Sequence, residues 1–270
     1  MEPQGRAASD GIDCATCHVR GDDIYGAPQP TQDGTLPHPV MRTRDLRQAG
    51  YCAGCHQFGF LGFPEQKDRA LFETAQLQQA TLREWQASAA AAKGLQCQAC
   101  HMPNFKDARG KLLANHAFAA TTVEALQAAL TVAVRLVRQP QNLGWRVEVG
   151  SKMVGHQLPT GDVFRRLQWC LRSPAGKVVA ALLYGRSWQP YRDTDPLHGP
   201  YLSRRLAKDT RVAGDGSPPP ERIVNTTAST GRWQWQLDYV RSDTPALPSG
   251  PLCADGIRTP VAAGFADVSP

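Results

Sequence analysis

One five-residue motif occurs three times in the first hundred residues and constrains the chain more than anything else in it. It reads CATCH at Cys14–His18, CAGCH at Cys52–His56 and CQACH at Cys97–His101. This is the C-x-x-C-H pattern for covalent attachment of haem c. Two thiols three positions apart reach the two vinyl groups on one porphyrin edge. The adjacent histidine then lies under the ring as an axial ligand. Cys14, Cys17, Cys52, Cys55, Cys97 and Cys100 are thus the expected attachment points for three haems, with His18, His56 and His101 as iron ligands. Zinc sites also use C-x-x-C pairs, but two at a time and with no need for a histidine after each. Iron–sulfur clusters require other cysteine spacings. A disulfide framework leaves the three histidines without a role.

Composition fits this reading. The 270 residues are 41% hydrophobic and 20% charged, with a formal charge of +6. Each oxidised haem adds about −2 from propionates and about +1 from the ferric core, so three bring +6 to roughly +3, and three reduced haems bring it to roughly 0. The basic balance is therefore mainly counter-charge for cofactors. No stripe of basic residues with interleaved aromatics points to nucleic acid. No apolar run is long enough to span a membrane. The polar start, Met1-Glu2-Pro3-Gln4, is no secretory signal. Because such haems are attached outside the inner membrane, the expectation is a periplasmic or otherwise extracytoplasmic protein whose leader is missing from this sequence.

Each iron needs a second axial ligand. His38 lies between Pro37 and Pro39, which restrict the backbone and aim its imidazole at little entropic cost. His116, in KLLANHAFAA, is a second candidate. The competing readings are a surface histidine and a core histidine respectively. Met41, Met153 and His198 are held in reserve.

Organisation changes near residue 121. Residues 21–40 are Gly- and Pro-rich and read as loop. Residues 41–51 read as a short helix, and Glu65–Lys93 as a long one, stopped by Gly94 and delivering the third motif. Beyond 121 come strand-like runs near 129–137, 145–154, 164–173, 177–186 and 232–240, separated by Pro–Gly turns. Residues 187–231 and the tail from Ser242 read as mostly irregular. The expected fold is α+β: a loop- and helix-rich trihaem domain at 1–120, packed on a β-sandwich at 121–270 that supplies a distal ligand. Cys170, in a strand, and Cys253, in the tail, either pair and pin the tail or remain as two buried thiols.

The loop GHQLPTGD, Gly155–Asp162, holds His156 at a strand end just before a Pro-Thr-Gly turn. Together with the three motifs, CQACHMP after a Trp-bearing helix, and GHQLPTGDVFRRL, it resembles bacterial multihaem cytochromes c whose C-terminal β-domain carries a Gly-His-x-(Phe/Leu)-Pro-Thr-Gly loop. The resemblance spans most of residues 14–186. It implies closely spaced bis-histidine haems, an extracytoplasmic location and electron transfer. It makes His156 an axial ligand and places Arg165 and Arg166 near a propionate. With His38 and His116, His156 completes six ligands for three irons.

The function expected is electron transfer between redox proteins, as a membrane-associated or multi-subunit complex would require, with no nucleic-acid partner. Two alternatives stay open. One is a haem enzyme acting on nitrite, hydroxylamine or peroxide at an iron lacking its distal ligand. The other is a subunit of a conductive assembly.

Overall fold

The computed structural model describes residues 12–28, 38–59, 71–72, 77–118, 122–138, 142–152, 154–195, 199–242, 253 and 257–269. His198 and Met153 lie outside them.

The first half is built from very short elements. Helix α1 is Cys14–His18, followed by strands β1 (Val19–Arg20), β2 (Asp23–Gly26) and β3 (Met41–Arg42) in one small sheet. A 3-10 turn at Asp45–Arg47 leads into α2 (Ala49–His56). Strands β4 (Gln57–Gly59), β5 (Leu71–Phe72) and β6 (Leu77–Ala80) follow, then α3 (Thr81–Gln86), α4 (Ala89–Ala92) and α5 (Cys97–His101). The hairpin β7 (Asn104–Lys106) and β8 (Leu112–Ala114) precedes α6 (Val123–Ala129).

The helix-rich expectation is corrected here. Among the described residues the longest helix, α2, has eight residues, and strand is the commoner state. The segment read as one helix over Glu65–Lys93 is, where described, strands β5 and β6 followed by two separate helices. Helix propensity is a weak prior that tertiary contacts override. Leu77–Ala80 pairs with Gln57–Gly59 as strand, and the carbonyls of Leu77 and Gln78 turn outward to receive Arg186. Between α3 and α4, Ser88 adopts extended backbone, and its hydroxyl accepts from the Ala91 N–H, starting a new helix. The thioether motif needs only one helical turn, so nothing requires more.

The second half is two facing sheets. Strands β9 (Leu130–Arg138), β10 (Asn142–Ser151) and β14 (Arg222–Thr227) form one, in the order β14-β10-β9. The other joins β11 (Arg165–Arg172), β12 (Val178–Asp195), β13 (Gly199–Asp209), β15 (Gly231–Arg241) and β16 (Ile257–Val268), with β5 added at the edge: β16-β15-β11-β12-β13-β5. Inward residues alternate along each strand. Leu143, Trp145, Val147 and Val149 of β10 meet Leu167, Trp169 and Leu171 of β11, Tyr184 of β12, and Trp233 and Leu237 of β15 in one core. Trp145 and Trp233 lie 5.6 Å apart between centroids. Each such burial contributes about 1.5–3 kcal/mol.

The strands read from alternation are present, but among the described residues of the second half there are three more. Residues 199–209 and 222–227 form β13 and β14, and the tail forms β16, which pairs along the whole of β15. Cys170 and Cys253 are disulfide-bonded.

Candidate haem-binding site

The three motif helices are held to one another by specific side chains. At the first motif, Asp13 caps α1 by accepting from the Thr16 N–H at 2.9 Å. Tyr51, the residue before Cys52, donates its hydroxyl to the Cys17 carbonyl and receives Arg20 Nη2 at 2.9 Å. The second and third motifs are joined by two glutamines. The Ala49 N–H, at the start of α2, donates to Gln96 Oε1 at 2.8 Å. Gln98, inside the third motif, donates to the carbonyls of Leu46 and Gln48, both at 3.0 Å. The Cys52 and Cys97 thiols are close enough to interact. That contact pushes Cys52 up and pulls Cys97 down to about 7. The attachment points of the second and third motifs are therefore adjacent.

All six motif cysteines are free thiols, and within each motif the two lie on successive turns of a single-turn face. Among the described residues no three His, Cys, Asp or Glu side chains converge as a bare-ion site. Three Cys pairs, each followed by a histidine, are a donor set that fits a planar cofactor attached at its edge.

The histidines meet across the fold in pairs. His18 and His116 have ring centroids 6.2 Å apart with planes at 44°. His101 and His156 are 6.0 Å apart with planes at 17°. Two metal–nitrogen bonds of about 2 Å leave ligand nitrogens about 4 Å apart, and half a ring beyond each brings the centroids to about 6 Å. Both centroid separations match that spacing. Backbone carbonyls orient three of these rings through Nδ1: Tyr25 for His18 at 2.7 Å, Ala114 for His116 at 2.9 Å and Gln157 for His156 at 3.0 Å. Such contacts leave Nε2 for a metal.

His56 is close to the second pair. Burial, then the neighbouring His156, pulls its pKa down. Burial, then His156 and His56, does the same for His101. Both shifts favour the neutral ring, the state that ligates. The amide nitrogen of Gln79 sits 2.9 Å from His56 Nδ1. Among the described residues no second imidazole makes a ring contact with His56. His38 is exposed, its Nδ1 3.3 Å from the Pro39 carbonyl, and it too makes no ring contact among those residues.

The loop carrying His156 is fixed from both halves. Gly155 adopts φ +76°, and a Cβ there would meet the Ala90 Cβ of α4 at 3.0 Å. A Cβ on Gly214 would strike the His156 carbonyl. Leu158 pairs with Val212 through two backbone hydrogen bonds. Glu84 of α3 accepts from the Gln157 N–H at 3.3 Å and the Thr160 hydroxyl at 2.8 Å, and forms an ion pair with Arg211. Arg186 donates to the carbonyls of Leu77, Gln78 and Gly161. Burial, then repulsion from Arg211, pushes its pKa down to about 10.

Arg165 sits at this loop's end, donating to Asp162 and to the Tyr239 hydroxyl, each at 3.2 Å. Arg166 is buried, at 5% exposure, on the sheet face opposite the sandwich core. Tyr51, Gln79, Glu84, Gln98, Arg186 and Arg211 were not singled out from sequence. Nothing in local spacing marks them, because each acts on a partner distant along the chain.

No protein-family model matches the chain, and no curated protein matches it significantly. Among solved structures it is similar to the penta-heme cytochrome c552 from Thermochromatium tepidum, at 17% identity and a TM-score of 0.52. The match covers 85% of this chain and 58% of that one, so the chain spans well under two thirds of that cytochrome's length. At this identity the likeness is one of fold.

Proposed function

We propose that the chain is a multihaem c-type cytochrome that carries electrons between redox proteins outside the cytoplasm. One observation carries the reading. The motif histidines His18 and His101 each face a distant histidine, His116 and His156, at 6.2 and 6.0 Å, the separation expected across one iron. The three C-x-x-C-H motifs and the fold likeness to a penta-heme cytochrome support it.

In this reading Cys14 and Cys17, Cys52 and Cys55, and Cys97 and Cys100 anchor three haems c, with His18, His56 and His101 as proximal ligands. His116, His156 and His38 are the proposed distal set. Bound haem supplies one-electron ferric/ferrous chemistry. The chain's own residues fix where the electron sits. Tyr51, Gln96 and Gln98 hold the motifs in register, and the backbone carbonyls hold the ligand rings in one tautomer. Arg165 and Arg166 are proposed to bring positive charge to a propionate beside the His156 loop. The proposed units are a trihaem segment at 1–120 and a β-rich segment at 121–270 that contributes His156. No helix among the described residues is long and apolar enough to cross a membrane. The proposed partners are redox proteins, including a membrane-associated or multi-subunit complex.

His56 favours a second reading for one centre. His38, the remaining distal candidate, is exposed, and if it does not ligate, the iron on His56 would be open to a small ligand such as nitrite, hydroxylamine or peroxide. A spectroscopic redox titration of purified protein, with mass determination, tests both. Three covalent haems, all low-spin, establish the carrier. One high-spin haem that binds CO when reduced assigns an open site to the protein. Colourless protein overturns the whole reading.

A further inference from the structure

Four of the six candidate ligand histidines place Nδ1 against a backbone carbonyl: His18, His38, His116 and His156. His56 instead faces a side chain, Gln79, at 2.9 Å. Gln79 is only 8% exposed and sits on β6, whose pairing with β4 brings it back over α2. Its amide also reaches Thr81 Oγ1 at 3.3 Å, and Thr81 lies 2.8 Å from Thr160, which donates to Glu84. A buried amide anchored on one side by a hydroxyl chain and on the other by an imidazole has little freedom to leave.

An imidazole that binds metal through Nε2 carries its proton on Nδ1 and needs an acceptor there. The acceptor fixes the ring's rotation and sets how strongly it donates to the metal. A glutamine amide presents a donor and an acceptor at nearly equivalent positions, so an end-for-end turn brings Oε1 to the Nδ1–H in exchange for the amide's contact with Thr81 Oγ1. We propose that Gln79 is the positioning residue for His56, orienting its ring and setting the reduction potential of that one centre. This rests on the haem reading above. The carbonyl-held rings are tuned by backbone and are insensitive to side-chain substitution. Among the described residues, His56 is the candidate ligand whose Nδ1 faces a side chain, a partner that a point mutation can change.

The test uses the holoprotein and two variants, Gln79→Glu and Gln79→Leu, with haem stoichiometry by mass and potentials by spectroelectrochemical titration. A carboxylate acceptor strengthens imidazole donation and favours ferric iron, so Gln79→Glu shifts one component downward. Leucine leaves Nδ1–H without its partner and shifts the same component upward. The remaining components stay in place. Gln79→Glu preserves side-chain size, so it remains readable if the leucine variant loses haem. Three haems with no component shifted, or shifts of the same sign in both variants, overturn the role of Gln79 alone. Fewer than three covalent haems in the unmutated protein overturn the haem reading, and this proposal with it.

Discussion

Glu84 accepts the Thr160 hydroxyl at 2.8 Å, and that contact ties α3 of the first half to the loop bearing His156 in the second. Glu84 is also paired with Arg211, with both side chains under 10% exposed. Arg211 keeps Asp209, at 2.7 Å, when Glu84 is removed, so the cost is that of the lost hydrogen bonds to a charged group, about 1.5–3 kcal/mol. Glu84→Ala is expected to lower stability by that order and to release the His156 loop. Glu84→Gln keeps an acceptor for Thr160 and costs less. Thermal unfolding of the two variants, followed by near-UV circular dichroism, separates them; equal melting temperatures would show that the loop does not depend on Glu84.

Replacing a distal ligand opens one iron. His156→Ala and His116→Ala are each expected to produce one high-spin ferric haem, CO binding on reduction, and an upward shift of one potential. Each would leave the other pair intact, since the two imidazole pairs share no ring. Absorption and EPR spectra check this. Unchanged low-spin signals in either variant remove that histidine from the ligand set.

The candidate site residues carry a stronger signal in the sequence than the fold around them. C-x-x-C-H spacing is set by the cofactor, so it survives any choice of surrounding structure. The Gly155–Asp162 loop was legible because its glycines and proline are demanded by close approach and tight turning. The strands β9, β10, β11 and β15 showed themselves by alternation. β13, β14 and β16 did not, because Arg, Pro and Gly interrupt their apolar pattern. β14, for instance, alternates exposed and half-buried residues with no fully buried one. The segment before the third motif reads as helix by composition. Its leading part is strand because Arg186 and His56 claim its carbonyls and its Gln79 side chain, and neither partner is local.

The Cys170–Cys253 disulfide closes a sequence separation of 83 residues and anchors the stretch preceding β16. Loops of this size give a stabilisation of about 2–5 kcal/mol, largely through the unfolded chain. Cys170→Ser with Cys253→Ser is expected to lower the midpoint of guanidinium unfolding by a corresponding amount while leaving haem count and spectra unchanged, since neither cysteine belongs to a C-x-x-C-H motif. An altered haem spectrum would mean that the tail reaches the haem-bearing half.

Tyr184 supplies the last prediction. Its ring is packed in the sandwich core, 2% exposed, with the Arg222 guanidinium 4.3 Å from its centroid. Its hydroxyl is buried with no hydrogen-bond partner among the described residues. Burial, partly opposed by Arg222, raises its pKa from 10.0 to about 12. The folded chain thus favours the neutral phenol. That contribution to stability is fully present below pH 10 and is lost as pH rises toward about 12. Tyr184→Phe keeps the ring and the cation–π contact and removes only the unpartnered hydroxyl, whose burial costs about 1–3 kcal/mol. The variant should be at least as stable as the unmutated protein at pH 8, and its melting temperature should fall less steeply between pH 9 and pH 11. Calorimetry at those pH values decides it. A variant less stable at pH 8 would mean that the hydroxyl has a partner in solution.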